Sequence, residues 1–278
     1  MENGILHVDM NNFYASVETL FAPQYKDVPM AVAGDKESRH GIILAKNMLA
    51  KSMGVQTAEP IWQAKRKCPN LQLVPPHRER YLQYSRMAQE IYYRFTDQVE
   101  AFSLDECWLD VYGSERLFGD GEQIAQQIRR AVKEELGLTV SIGVSYNKVF
   151  AKLGSDYKKP DATTWISRDN YQQLVWPLPV TDLLYVGRSA AETLERVGAR
   201  TIGDLARFDR ERLFRLLGRQ GSQLHDYACG LDRSPVAPAG QYTPPKSVGN
   251  GNTFARNLQG RAEIQAGIVQ LSDQVGAR

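Results

Sequence analysis

The stretch EAFSLDECWLDV, residues 100–111, sets two carboxylates side by side, Asp105 and Glu106, inside a strongly apolar run. Adjacent acids make a poor strand and are costly to bury. A fold that keeps them must supply a basic partner, a metal ion, or water at a strand end. A third acid, Asp9, closes the apolar run ILHVD just ahead of FYASVETLF, residues 13–21, which has helical spacing. Taken alone, Asp9 reads equally well as a helix cap, and Asp105 with Glu106 as a salt-bridged pair. If the Asp9 strand and the Asp105 hairpin are neighbours in one sheet, three carboxylates converge at one edge. Like charges that close cannot all stay ionised without cations. An all-carboxylate oxygen set suits Mg²⁺. Two such ions about 3.5–4 Å apart serve in-line phosphoryl or nucleotidyl transfer.

The rest of the chain supplies such a sheet. PMAVAG and LQLVPP read as short strands, and GIILAKNMLAKSMG as a strand running into a helix. PIWQAKRKCP is a short helix bracketed by prolines. Residues 78–97 and DGEQIAQQIRRAVKEELG are long amphipathic helices. Between them, QVEAFSLDECWLDV gives two strands hinged near residues 104–105; TVSIGVS is an alternating strand, and NKVFAKLGSDYKKP a helix. This order predicts an α+β, ferredoxin-like sheet with its helices packed on one face, and a small insertion between residues 21 and 76. From about residue 167 the chain reads as short helices separated by glycines, including LLYVGRSAAETLERVGARTIGDLA. Residues 234–247 are rich in Pro and Gly and read as a linker. The last stretch offers one strand, KSVGNGNTFA, and one helix over roughly residues 260–276, too little to bury a core alone.

With 278 residues the chain is long enough for two or three small domains and needs no disulfide scaffold. Its three cysteines are far apart, which argues against a zinc site and for a reducing, cytoplasmic setting. No signal peptide or membrane span is predicted. The net charge of +2 does not announce a nucleic-acid binder. Residues 36–67, however, gather Lys36, Arg39, Lys46, Lys51, Lys65, Arg66 and Lys67, ordinarily a solvated face and here a candidate anion-binding one.

ILHVDMNNFYASVE, FSLDECWLDV and SIGVSYNKVFAKLGSDYKKP resemble, in order and in register, the palm signatures of Y-family, DinB-type translesion DNA polymerases. KNMLAKSMGVQTAEPIWQAKRKCP is similar to the fingers, YVGRSAAETLERVG to the thumb's helix-hairpin-helix, and KSVGNGNTF to the opening of the little finger. The resemblance implies a palm over residues 1–18 and 77–166, fingers over 19–76, a thumb over 167–233, a linker over 234–245, and a little finger from 246 that the chain leaves incomplete. It implies two Mg²⁺ ions, for which Mn²⁺ could substitute, held by Asp9, Asp105, Glu106 and the backbone carbonyl of Met10. Tyr14 falls at the steric-gate position. Lys51, Lys159, Phe13 and Asn47 fall among the nucleotide contacts; Lys152 is a weaker candidate. Ile42 and Leu44 fall on the roof over the nascent base pair, bulky where some relatives carry alanine. Gly187, Arg188 and Ser189 fall where the thumb meets DNA phosphates. The chain departs from the commoner pattern at Met48 and Lys51, where many relatives have Tyr and Arg, and at Ser189, where a second Gly is common.

The partners implied are primer–template DNA and dNTP, with a sliding clamp reached through a C-terminal segment beyond this chain, and no membrane. The protein is expected to be a monomer in the cytoplasm, nucleoid-associated in a prokaryote. With no exonuclease segment, synthesis is expected to be inaccurate and distributive. Two readings compete. A catalytically degenerate, DNA-binding accessory protein would have lost the acids, and a nucleotidyl cyclase would lack the basic insertion and the thumb.

Overall fold

The computed structural model describes residues 3–34, 41–238, 240 and 244–278. Lys36 and Arg39 of the basic stretch lie outside the described residues, as do positions 239 and 241–243 of the linker. The strands are β1 (Ile5–Met10), β2 (Met30–Ala33), β3 (Ile43–Lys46), β4 (Gln72–Val74), β5 (Val99–Ala101), β6 (Glu106–Asp110), β7 (Val140–Ser145) and β8 (Thr163–Ile166). The helices of the first half are α1 (Phe13–Phe21), α2 (Met48–Ser52), α3 (Ile61–Lys67), α4 (Arg78–Tyr92), α5 (Glu115–Phe118), α6 (Gly121–Leu136) and α7 (Lys148–Tyr157). Those that follow are α8 (Tyr171–Leu174), α9 (Arg188–Arg196), α10 (Ile202–Arg207), α11 (Arg210–Leu217), α12 (Arg219–Ala228) and α13 (Gly260–Gly276). The chain divides into two compact units, Met1–Leu20 with Arg78–Ala239, and Phe21–His77 with Gly240–Arg278.

The first unit is built on a five-stranded sheet in the order β5-β6-β1-β7-β8. β1 is central and antiparallel to both β6 and β7, and β8 joins the edge parallel to β7. The four strands β5, β6, β1 and β7 carry the expected ferredoxin-like order. Alternation along β1 sends Leu6, Val8 and Met10 into one core with Cys107, Leu109, Ile142 and Val144. α4 covers that face with Tyr81, Ala88 and Ile91, and α6 with Ile124, Ile128 and Val132. α6 starts on an Asp120 capping box and stops at Gly137, whose φ of 67° suits a residue without a side chain.

The opposite face is not open, which corrects the expectation of helices on one side only. α7 lies across it, set close by two glycines. A Cβ on Gly143 of β7 would stand 1.9 Å from the carbonyl oxygen of Ala151, and one on Gly154 of α7 would stand 2.9 Å from the Cα of Gly143. His7, on the same face of β1, meets Ser155 of α7 at 2.9 Å through Nδ1, and the Ser155 hydroxyl lies 2.7 Å from the Lys152 carbonyl. The outer side of α7, with Val149, Phe150 and Leu153, enters a second core containing Leu194, Ile202, Leu205, Leu213 and Leu224 from α9 to α12. α9 and α10 are joined through Gly198 at φ 88°, as the glycine-punctuated sequence predicts.

The second unit has a three-stranded sheet, β3-β2-β4, with a small core of Ala31, Ile43, Ala50, Val55 and Ala64. The predicted strand over KSVGNGNTFA does not form: residues 246–255 carry no strand. Gly249, Gly251 and two asparagines give it little to pack on a pleated surface. The predicted terminal helix does form as α13, with Gly267 against Phe254 and Leu258, while Ile264 and Ile268 are exposed.

Gly143→Ala should therefore cost at least ~2 kcal/mol, because the atom it would strike is backbone of a helix packed on both sides. Chemical denaturation at neutral pH checks this; a loss under about 0.5 kcal/mol would show that α7 can lift from the sheet.

Candidate functional site

Asp9 and Glu106 are register partners across the central pair of strands, so their side chains leave the same face, the one α7 covers. Asp105 precedes β6 at the hinge between β5 and β6, and its carbonyl accepts the Met10 amide at 3.0 Å. Ser103 ties the turn together. Its hydroxyl donates to Asp105 Oδ1 at 2.8 Å and lies 3.2 Å from Glu106 Oε2. All three acids thus meet at one end of the sheet, as their placement in apolar runs predicts. Asn11, just beyond Asp9, bonds Ser141 and accepts the Asp161 amide, which anchors the chain after α7.

The acids do not stand alone, because two lysines pair with them. Lys159 Nζ lies 2.6 Å from Asp9 Oδ2 and 2.8 Å from Asp156 Oδ1. Lys152, read as the weaker candidate, is the more central of the two lysines. Its Nζ lies 3.4 Å from Asp9 and 3.2 Å from Asp156, and it makes a short ion pair with Glu106. Its side chain is only 15% exposed. The signal in the sequence is the four-residue spacing of Lys152 and Asp156, which puts both on one face of α7; Lys159 reaches back to Asp156 from just beyond the end of the helix.

Burial pushes the Asp9 carboxyl up to about 6, against the pull of Lys159 and Lys152. Burial also raises Asp105, with Asp9 adding repulsion and the Ser103 hydroxyl opposing. Burial works against the charge on Lys152, but Asp156, Glu106 and Asp9 outweigh it and hold the ammonium above its usual range. Among the described residues no three His, Cys, Asp or Glu side chains are grouped to hold a metal ion as they stand. The donor set itself fits a hard divalent cation. It is all oxygen, two of its members are a strand register pair, and lysines on flexible stems neutralise it.

Beside this cluster, the Tyr14 ring stacks on Tyr81 with centroids 4.0 Å apart and planes 8° from parallel. Tyr81 is buried and bonds Glu18 at 2.6 Å, and Arg80 pairs with the same buried carboxylate at 2.9 Å. Phe13 is a correction: its ring is buried in the core against Tyr14 and Tyr81, so its side chain has no surface to offer a ligand.

In the second unit, Asn47 is likewise spent locally. It caps α2 through Ala50, accepts the Met30 amide and donates to Val28 at 2.7 Å. Lys51 and Met48 are exposed, Ile42 is 39% exposed beside its bridge to Pro60, and Leu44 is half-buried in β3. Lys46 bonds Thr57 at 2.9 Å. In the first unit, Gly187 caps α9 in extended conformation, Ser189 is exposed, and Arg188 is exposed in an ion pair with Glu192. Among the described residues no helix is long and apolar enough to cross a membrane.

Residues 8–156 match the family described as the impB/mucB/samB family. The chain is 51% identical over 278 residues to the DNA polymerase IV of Acetivibrio thermocellus, a match covering 100% of this chain and 70% of that protein. A chimera of the Y-family DNA polymerases Dbh and Dpo4 is similar in structure with a TM-score of 0.86 and 25% identity, over 99% of this chain and 80% of that one. Dbh DNA polymerase in an insertion ternary complex is similar with a TM-score of 0.77 and 27% identity, over 84% of this chain and 69% of that one.

The site predicts a pH-dependent stability. Asp9 titrates at about 6 in the folded chain against an ordinary 3.8, so the folded state binds more protons between those values. Stability then falls as pH rises through that window. Asp9→Asn removes the loss. In chelator it should melt above the parent at pH 7, with the difference closing by about pH 4. Thermal unfolding at both pH values reads this; a parent that melts higher at pH 7 would mean that the lysine pairs outweigh burial.

Proposed function

The chain belongs to the impB/mucB/samB family and is a Y-family, translesion DNA-directed DNA polymerase, and we propose that Asp9, Asp105 and Glu106 are its catalytic carboxylates. The observation that carries the assignment is their meeting on adjacent strands beside two lysines that can neutralise a triphosphate. The accessory-protein and cyclase readings are not favoured, because the relatives that match the whole chain are named as polymerases.

Enzymes of this family work with divalent metal ions, and we assign two Mg²⁺ ions to the three carboxylates and the Met10 carbonyl. Bound there, the ions would lower the pKa of the primer 3′-hydroxyl and neutralise charge on the leaving pyrophosphate. The chain's own part is positioning. Asp9 and Glu106 are held by strand register, Asp105 by the Ser103 turn, so the oxygens are placed before substrate arrives. Lys159 and Lys152 hold the acids' charge until the triphosphate enters; Lys159 then turns to its oxygens as a point-charge partner. Lys51, of the second unit, is assigned to the nucleotide's phosphates as a point charge in place of a forked arginine. Ile42 and Leu44 would roof the nascent pair, and the amides at the start of α9, from Gly187 to Ser189, would take a DNA phosphate.

Tyr14 is the gate. Its ring, flat on Tyr81, would lie under the incoming sugar and strike a 2′-hydroxyl. We infer from the translesion family that synthesis is inaccurate and distributive, by a monomer on primer–template DNA.

Primer extension with Mg²⁺ and single dNTPs tests the assignment. Asp105→Ala should cut incorporation on the order of 10²–10³-fold or more while the protein stays folded; activity near the parent's would remove the carboxylates from the chemistry. Tyr14→Ala should raise ribonucleotide use relative to deoxynucleotide use by roughly 10²-fold. An unchanged ratio would make Tyr14 a core ring and nothing more.

A further inference from the structure

Asp156 has no part in the assignments above, yet it is the residue on which both active-site lysines rest. It stands on α7, four residues after Lys152 and three before Lys159. Its two oxygens are divided between them. Oδ2 lies 3.2 Å from Lys152 Nζ, and Oδ1 lies 2.8 Å from Lys159 Nζ. Each lysine is at the same time held by a carboxylate of the catalytic set, Lys152 by Glu106 and Asp9, Lys159 by Asp9. The lysines therefore bridge two banks of acid, one on the sheet and one on the helix.

The helix bank does not move. α7 is pressed to the sheet at Gly143 and Gly154 and joined to it through His7 and Ser155, on the turn that carries Lys152. The lysine stems do move, each having four carbons between backbone and ammonium. A divalent cation that takes the oxygens of Asp9 and Glu106 must displace both ammoniums. Two freed ammoniums facing a divalent cation at this depth would repel it strongly, since a partly buried site screens charge poorly. Asp156 already touches both and is half exposed, so the lysines need only let go on one side.

Resting on the carboxylate reading above, we propose that Asp156 is a positioning residue for metal uptake. It retains Lys152 and Lys159 when divalent ions displace them from Asp9 and Glu106, and keeps the ammoniums in reach of the triphosphate. Lys152 is correspondingly a built-in competitor of the metal. An ordinary surface ion pair of α7 would stabilise the helix and leave metal affinity alone.

The test is Mn²⁺ binding to the full 278-residue chain without DNA or nucleotide, followed by the paramagnetic resonance signal of free Mn²⁺. Asp156→Asn should weaken binding about fivefold, and Lys152→Gln should tighten it by a similar factor. Asp156→Glu should restore most of the parent's affinity. In the Lys152→Gln background the effect of Asp156→Asn should fall to less than half, because a residue that acts through another loses its effect with it. Equal losses in both backgrounds would mean that Asp156 acts on the ion directly, and an unchanged affinity in Asp156→Asn would mean that it only braces the helix; either result overturns the proposal. Circular dichroism establishes that each variant is folded, and Lys152→Met stands in if Lys152→Gln is not. Asp9→Asn separates the two levels of inference. If the parent binds no more Mn²⁺ than Asp9→Asn does, the carboxylate assignment itself fails, and the role of Asp156 falls with it.

Discussion

The close seat of α7 on the sheet is the contact on which the site depends. Asp9 and Glu106 leave the sheet on the face that α7 covers, so the helix decides what surrounds them. With a methyl group at Gly143 the helix would have to rise, since that carbon would overlap the Ala151 carbonyl. Lifted, it would carry Lys152 and Asp156 away from the strands. The second core, on the outer side of α7, closes the sandwich, and Asn147 fixes its start by capping Phe150 and bonding the Gly230 carbonyl. A helix gripped on both sides is a rigid mount for side chains that must hold position against strong charge.

Charge is what that mount is for. Asp9 is buried to 6% exposure and Asp105 raises its repulsion, so the acids are poorly solvated as anions. Two lysines offset only part of that in the resting protein, since burial still holds the Asp9 carboxyl up at about 6. Buried pairs of this kind add little net stability, because desolvation consumes the Coulombic gain. Their value lies in exchange: an ammonium on a long stem can give way to a metal ion and then meet a phosphate, whereas a rigid guanidinium fork would hold its carboxylate more firmly. The arrangement is thus weak as a strut and suited to turnover.

Much of this was legible in the sequence because it is written in local pattern. Alternation and helical spacing gave the ferredoxin-like order, and acids misplaced in apolar runs marked the edge where they meet. What escaped was tertiary. Gly143 and Gly154 look like any small residues until a helix is laid on the sheet, so no local pattern sets α7 on the face opposite α4 and α6. Lys152 is a charge on a helix, ordinarily solvent-facing, and only the close seat of α7 turns it inward, with the half-exposed Asp156 at its outer side. Asn47 is the contrary case. An Asn directly ahead of a helix is first of all a cap, and Asn47 is spent in that way on Ala50. The strand expected over residues 246–255 failed for want of residues that pack on a pleated surface, while the helical period of α13 survived.

The stack beside the site shows how a buried charge can serve selectivity at a distance. The gate role proposed for Tyr14 asks for a ring that costs energy to rotate. Tyr14 gains that stiffness from Tyr81, whose ring lies parallel to it at 4.0 Å. Tyr81 is itself fixed, with its hydroxyl on Glu18, one turn along α1 from Tyr14. Glu18 is almost wholly buried and is held there by Arg80, the neighbour of Tyr81 on α4. The loop closes on itself: α1 carries Tyr14 and the acid, and α4 carries the stacking ring and the base. Replacing Glu18 by an apolar residue of similar size would leave the core filled but take away the 2.6 Å bond that orients the Tyr81 hydroxyl. The carboxylate thus sits in the core to orient one ring, and through that ring to keep the other still.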